Sequence, residues 1–157
     1  MKNENGVTLI SLVITIIVLL ILASISTFSG VRNVNESRDS AAKTELKFVQ
    51  QAVLQTYTKY TLTDDNDILV GLQFSDFTGL NEIIEQIEEK TNITIELKDN
   101  NANNYYLLDG ASLHALGITN TEDEYIVNYT TGEVINKTKL VTSKSKEPLY
   151  IYGKNNK

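Results

Sequence analysis

The sequence predicts an α+β protein in which a long N-terminal helix, membrane-embedded over its first half, packs on a small antiparallel sheet. Three observations support this fold class. Residues 7–28 carry no charge, and the only proline of the chain is Pro148. Apolar residues then recur at helical spacing as far as Tyr60. Beyond that point, short runs rich in Ile, Val and Tyr alternate with Asn-rich or Gly-containing turns, which is typical of short strands.

The first half of the predicted helix is the uncharged run 7–28. Fifteen of its 22 residues are Ile, Leu, Val or Phe. At ~1.5 Å per residue a helix of this length measures ~33 Å, which exceeds a hydrocarbon core of ~30 Å. Because the run is apolar on all sides, we expect it to lie in a membrane.

The second half of the predicted helix is amphipathic. One stripe of apolar residues follows steps of three and four: Ala42, Leu46, Val49, Val53, Tyr57 and Tyr60. We expect this stripe to pack on the globular part of the protein, in a helix that runs without interruption from about Thr8 to about Tyr60. Any bend is expected near Ser29 and Gly30.

The rest of the chain predicts short elements. In order, they are a loop at 64–67, a helix at 75–90, a strand at 92–97, a polar turn at 99–104, a strand at 105–108, one or two helical turns at 111–116 ended by Gly117, a hairpin of 124–129 and 133–136 around 130–132, and an edge strand at 148–152. The helix at 75–90 has one apolar face, which contains Phe77, Leu80, Ile84 and Ile87.

Composition narrows the possible functions. The net charge of −6 argues against nucleic-acid binding, which needs a basic face. The absence of Cys excludes thiolate metal sites, thiol nucleophiles and disulfides. Between residues 64 and 124 fourteen acidic residues accompany two lysines, whereas six lysines and one glutamate lie between 137 and 157. This segregation indicates either a solvated acidic face with a basic tail, or opposite poles that attract between neighbouring subunits.

The N-terminus carries the strongest motif. A six-residue polar leader contains Lys2 and ends at Gly6, and the apolar helix begins directly at Val7. A secretory signal peptide would have an apolar core of ~7–15 residues. The segment resembles the prepilin signature of type IV pilins and type II secretion pseudopilins. The lack of Cys is similar to the pilin-like proteins of Gram-positive bacteria, and the hairpin at 125–134 resembles their C-terminal sheet.

This resemblance implies a pathway and a set of partners. A prepilin peptidase would cut between Gly6 and Val7 and then methylate the new amine of Val7. The chain would comprise a leader (1–6), a transmembrane and assembly segment (7–30) and a soluble pilin-like head (31–157). Other pilin-like subunits would contact the apolar helix, and an assembly platform and an ATPase would drive assembly. The protein would lie in the cell membrane as a single-pass protein with an extracellular C-terminal domain, and then in a cell-surface pilus or protein-secretion filament.

Two features depart from the family pattern. The fifth mature position, which usually carries a glutamate that pairs with the terminal amine of a neighbour, is Ser11 here. Either the amine of Val7 stays near the headgroups, or the subunit sits at a filament tip, or this branch assembles differently. Leu20 and Phe28 also occupy the places of the usual helix-breaking glycine and proline.

Catalytic and cofactor chemistry is not expected. His114 is the only histidine, and its apolar neighbours favour a structural role. No nucleophile-elbow pattern surrounds any serine. Asp64, Asp65 and Asp67 are expected to form a solvated turn, with calcium binding as the alternative, although their spacing does not match an EF-hand. We therefore expect no enzyme, no metal and no cofactor.

Two rival functions remain open from the sequence. The protein could be a membrane-anchored extracellular binding module that keeps its leader and never polymerises. Alternatively, ordinary signal peptidase could release a secreted binding domain by cutting near residues 23–26. The mature N-terminus distinguishes the three possibilities.

Overall fold

The computed structural model describes residues 4–119, 121–142 and 149–151, with side chains described for 11–21 and from residue 34 onward within these ranges. Contacts divide the chain into two compact units, Met1–Arg38 and Asp39–Lys157. The first unit consists of helix over its described residues. The second unit contains a sheet and the remaining helices, and is an α+β domain.

Helix α1 runs from Glu4 to Thr63 and contains 60 residues. The predicted uninterrupted helix is therefore confirmed, and it extends a few residues further at each end. No proline interrupts its backbone hydrogen bonds. It ends where Asp64 adopts a left-handed conformation at φ 53° and donates its N–H to the carbonyl of Tyr60 at 2.8 Å. The bend near Gly30 stays a prediction.

The sheet has five antiparallel strands in the order β1-β2-β3-β4-β5. The strands are β1 (Leu72–Gln73), β2 (Tyr105–Leu108), β3 (Tyr125–Asn128), β4 (Glu133–Asn136) and β5 (Tyr150–Ile151). The predicted strand at 105–108 and the predicted hairpin are confirmed, with Asn128 paired to Glu133 and Gly132 at φ 75° in the turn. Strand β5 lies at an edge, as expected, while Pro148 and Tyr152 fall outside the described residues.

Both faces of the sheet are covered in the second unit. The predicted stripe of α1 packs on one face through Leu46, Val49 and Val53, against side chains that include Tyr125 and Val134. Helix α2 (Phe77–Thr91) packs on the other face: its buried residues Leu80, Ile84 and Ile87 join Tyr105, Ile126 and Ile135. All residues of β3 and β4 are consequently buried.

Local signals explain the two shorter helices. Asp76 caps α2 by accepting the N–H of Thr78 at 2.8 Å, and Asn92 ends it at φ 56°. Helix α3 (Gly110–Ala115) begins at the cap Asp109 and is followed by Gly117 at φ 81°, as predicted. The predicted polar loop after α1 contains a short 3-10 turn at Asn66–Ile68.

The strand predicted at 92–97 is wrong. Asn92 is in the left-handed conformation that ends α2, and residues 93–97 pair with no strand in the described structure. The alternation of the segment does match burial, since Ile95 is buried between exposed Thr94 and Glu96. Its backbone is held by side chains instead: Ile95 N–H donates to Glu88 Oε1 at 2.6 Å, and the Tyr150 hydroxyl donates to the Glu96 carbonyl at 3.1 Å. Strand β1, conversely, was not predicted.

Candidate functional site

The first half of α1 is an exposed apolar surface. Among its described side chains, every Leu, Ile and Val between positions 12 and 21 is 46–65% exposed. These residues are Leu12, Val13, Ile14, Ile16, Ile17, Val18, Leu19, Leu20 and Ile21. Since they occupy consecutive helical positions, they cover all sides of the helix. No described residue of the chain shields any of these sides.

A polar side chain within this surface is satisfied by the helix itself. The Thr15 hydroxyl lies 2.8 Å from the carbonyl oxygen of Leu12 and 3.1 Å from that of Ser11. A hydroxyl that bonds back to the preceding turn needs no partner outside the helix. Thr15 can therefore enter an apolar environment without losing its hydrogen bond.

The positions predicted from the prepilin resemblance all lie in α1. Gly6 and Val7 belong to its first turns, in the part of the helix whose side chains are not described. Ser11 is exposed. Among the residues that the structure describes, no helix combines the length and the apolar content needed to cross a membrane.

A second surface feature was missed by the sequence analysis. A groove of about 660 Å³ lies in the second unit between α1 and the segment that follows α3. One wall includes Ala41, Phe48, Ala52 and Gln55, and the other includes Leu116 and Ile118. We call it the Phe48 groove, because the Phe48 side chain is 59% exposed within it.

Among the described residues that line the Phe48 groove, one side chain is ionisable, and it is already engaged. Glu45 accepts a short hydrogen bond from the Tyr125 hydroxyl and lies 3.7 Å from the Lys139 ammonium. Lys139 also contacts Asp123 at 2.8 Å, and Asp123 accepts from Asn136 at 2.9 Å. Burial acts to lower the pKa of Lys139, but the two adjacent carboxylates outweigh it and raise that pKa. The network ties α1 to the end of the hairpin.

A buried carboxylate lies on the opposite face of the sheet. Glu133 is 1% exposed and accepts from the Tyr105 hydroxyl at 2.7 Å, from the backbone N–H of Lys98 at 3.3 Å, and from the Tyr150 hydroxyl. Burial, followed by the Glu133 carboxylate, raises the pKa of Tyr105 well above its usual range. Glu133 therefore joins β2, β5 and the 92–98 segment to the hairpin, which is a structural role.

Asp99 lies beside the hydrogen bonds of Glu133, and two amide side chains hold it there. It accepts from Asn104 Nδ2 at 2.7 Å and from Asn128 Nδ2 at 3.1 Å. Burial acts to raise the pKa of Asp99, but these hydrogen bonds outweigh it and lower the pKa. The buried amide of Asn128 also accepts from the N–H groups of Thr130 and Thr131, both at 2.9 Å, which fixes the hairpin turn.

The residues considered for chemistry are not gathered into one site. His114 is exposed on α3. Asp64, Asp65 and Asp67 are exposed, and Asp65 accepts the N–H of Asp67 at 3.0 Å as the cap of the 3-10 turn. Over the described part of the chain, no group of three or more His, Cys, Asp or Glu residues is placed to hold a metal ion.

Comparisons with models of protein families, with curated proteins and with solved structures each found no match to this chain. The two surfaces that stand out are therefore the exposed apolar half of α1 and the Phe48 groove. Their described linings are dominated by apolar and uncharged polar side chains.

Proposed function

We propose that this chain is a structural subunit, a pilin or pseudopilin, of a type IV pilus-like or type II secretion-like filament, and that its apolar helix anchors it in the cell membrane before assembly. The supporting observation is the contrast within one uninterrupted helix. The uncharged first half is exposed on all described sides, whereas the second half is buried against a sheet. Exposed apolar area costs ~25 cal/mol per Å² in water, so the first half needs lipid or other helices around it.

The same surface suits both environments. Before assembly, acyl chains would surround residues 7–28, and in the filament the equivalent helices of other subunits would do so. Transfer between two apolar environments releases little hydrophobic free energy, since lipid tails are as apolar as Leu or Ile. Extraction would therefore depend on an assembly platform and an ATPase, which we propose as partners. The head would lie outside the membrane throughout.

Processing at Gly6 tests the proposal. A prepilin peptidase acting between Gly6 and Val7 must approach the backbone closely, and a residue without a side chain permits that approach. Gly6→Leu should block cleavage and leave a membrane-held precursor. Gly30→Leu, which introduces the same side chain downstream of the junction, should be cleaved normally. Mature-length Gly6→Leu protein would contradict the proposal.

One observation favours a second candidate, the membrane-anchored module that never polymerises. Ser11 carries a hydroxyl in place of the glutamate that the resemblance leads one to expect. A terminal amine buried between helices without a carboxylate costs several kcal/mol. Such a cost disfavours assembly and favours an N-terminus that remains at the membrane surface.

Counting labelled subunits on isolated filaments separates these possibilities. In a filament shaft, Ser11→Glu should increase incorporation, because a carboxylate within ~4–6 Å of a buried amine stabilises its charge. At a tip, the same change should be neutral or harmful, and the label should be confined to one end. Filaments without label in both wild type and Ser11→Glu would reject the filament subunit and support the anchored module.

A further inference from the structure

We propose that the Phe48 groove receives the apolar first half of α1 from a second copy of this chain. The proposal rests on the filament function proposed above, and it names the contact by which the head of one subunit holds the helix of another. The groove lies wholly in the second unit, and its occupant lies wholly in the first unit of the other copy.

The dimensions of the groove suit a helix. Its α1 wall extends from Ala41 to Gln55, which at ~1.5 Å per residue gives a length of ~21 Å, or about four helical turns. Small residues lie along both walls, Ala41 and Ala52 on α1 and Gly117 on the facing segment. Small side chains allow two helix backbones to approach closely, so van der Waals contact can be continuous along the groove.

Phe48 provides an anchor at the centre of this contact. Its ring is 59% exposed although it projects from a helix whose neighbouring stripe is fully packed. Aromatic side chains dominate the energetics of interfaces because they bury a large area with few rotatable bonds. Covering the ring with Leu and Ile side chains would remove this apolar area from water.

The scarcity of charge in the groove favours an uncharged segment of this chain as its occupant. The groove is lined by neutral side chains and by Glu45, whose carboxylate is held by Tyr125 and Lys139. The acidic region at 64–124 would bring carboxylates next to Glu45, and further lysines of 137–157 would find Glu45 already paired with Lys139. Residues 7–28 form an apolar run without any charge, and they match a groove with no free charge to offer.

One hydroxyl on each side, Thr44 and Thr15, tolerates such a contact. Thr44 in the groove donates to the carbonyl of Ser40 at 2.8 Å, and Thr15 in the occupant bonds within its own helix. Neither hydroxyl is left unsatisfied when water is displaced. Because groove and occupant are different surfaces, the contact is head-to-tail, and repetition yields a helical polymer unless the rotation closes a ring.

Cysteine cross-linking tests the contact directly, since the natural chain contains no Cys. One full-length copy carries Ala52→Cys in the groove, and a differently tagged copy carries a single cysteine at Ile16, Ile17 or Leu19. Oxidation of sheared filament fractions should join the two tags, whereas unassembled protein in membranes, whose apolar halves lie among acyl chains, should not be cross-linked. Leu62→Cys is the matched control, because Leu62 lies on the same helix, is 81% exposed and does not line the groove. It should give at least tenfold less product.

A pair of substitutions measures how much the groove contributes to filament assembly. Phe48→Glu places a charge in the groove at an exposed position, so the head should keep its melting temperature while incorporation into filaments falls at least tenfold. Leu62→Glu adds the same charge at the control position and should assemble like the wild type.

The outcomes separate this inference from the proposed function. Filaments that contain the protein but show no cross-link from position 52 to the apolar half, or normal assembly of Phe48→Glu, would overturn the groove contact and leave the filament function standing. Cross-links between two cysteines at position 52 would mean that another head fills the groove, and would also overturn it. The expected cross-links in cell-surface material that contains no filaments would support the contact and reject the filament function.

Discussion

The two halves of α1 share one backbone and have opposite surroundings. In the second half, Leu46, Val49 and Val53 are 3%, 0% and 0% exposed beneath the sheet. In the first half, residues of the same types, such as Leu12 and Ile17, are 60% and 50% exposed. Side-chain chemistry does not distinguish the two halves. The difference lies in how many sides are apolar and in what the rest of the chain supplies to cover them.

This contrast shows which groups are available to cover the apolar side chains of each half. A one-sided stripe needs one partner, and the sheet of the same chain provides it. A helix that is apolar all round needs partners on every side, and the described residues of this chain provide none. The head is thus stabilised by its own fold, whereas under the proposed function the first half would be stabilised by association.

A matched pair of charge substitutions tests this contrast with the largest expected effect. Val53→Asp places an unpaired charge at a fully buried position, so the head should lose several kcal/mol of stability and unfold. Ile17→Asp places the same charge in the first half and should leave the thermal melting of the head unchanged while abolishing membrane insertion. Circular dichroism and membrane flotation are the measurements. Equal melting temperatures for Val53→Asp and wild type would show that the packed face is assigned wrongly.

Removal of the buried Glu133 carboxylate should have the next largest effect. Glu133→Leu removes the carboxylate that accepts from the buried Tyr105 hydroxyl and from the Lys98 N–H, and it leaves the Tyr150 hydroxyl with the Glu96 carbonyl. A buried donor without a partner costs ~1–3 kcal/mol, so urea unfolding should report a loss of ~3 kcal/mol. The control is Glu85→Leu on the exposed side of α2, which should change stability by less than ~0.5 kcal/mol. A Glu133→Leu head as stable as that control would reject the structural role of the cluster.

Alkaline pH should weaken the head through its buried tyrosines. Burial raises the pKa of Tyr129 from 10.0 to about 12, and its hydroxyl donates to the Val70 carbonyl at 2.9 Å. The folded head then binds more protons than the unfolded chain above pH 10, so this stabilisation is complete below pH 10 and is lost as the pH rises through about 12. Tyr129→Phe should lose ~1 kcal/mol at neutral pH, from the missing hydrogen bond, and should show a shallower decline above pH 10. Equal slopes in the two proteins would contradict this assignment.

Two glycine substitutions should have the smallest effects, and they should differ in sign. Gly132 has φ 75°, and a Cβ there would lie 2.8 Å from Leu54 Cδ2, on the α1 layer of the head. Gly132→Ala should therefore destabilise by ~1 kcal/mol or more. Gly79 lies in α2 with open space around it, so Gly79→Ala should stabilise by ~0.5–1 kcal/mol. Thermal melting of both variants provides the comparison, and destabilisation by Gly79→Ala would indicate a contact on that side of α2.

Much of the fold could be predicted because its signals are local. Spacing alone predicted α1 and α2, and a glycine between two β-rich runs predicted the hairpin. The segment at 92–97 failed because alternation reports which side chains are buried, not what the backbone pairs with. The hydrogen-bond partners of its backbone are the side chains of Glu88 and Tyr150, which the alternation of residues 92–97 does not reveal. Strand β1 has two exposed residues and is too short to show alternation.

The surface features also divide into some that the sequence predicts and others that depend on the fold. The apolar half of α1 is evident from composition, whereas Gly6, Val7 and Ser11 were singled out by the prepilin resemblance. The Phe48 groove could not be predicted, because its walls come from α1 and from a segment more than sixty positions later. The burial of Glu133 was not predicted either, since the position of α2 on the second face of the sheet was not foreseen.

The central claim is that the first half of α1 is covered by other molecules in a filament after its leader is removed. Intact-mass analysis of the protein, recovered separately from membranes, sheared surface filaments and culture medium, tests this most directly. The account predicts a filament-borne chain that begins at Val7 with a methylated amine. A chain that begins at Met1 and occurs only in membranes, or one that begins near Thr27 in the medium, would contradict it.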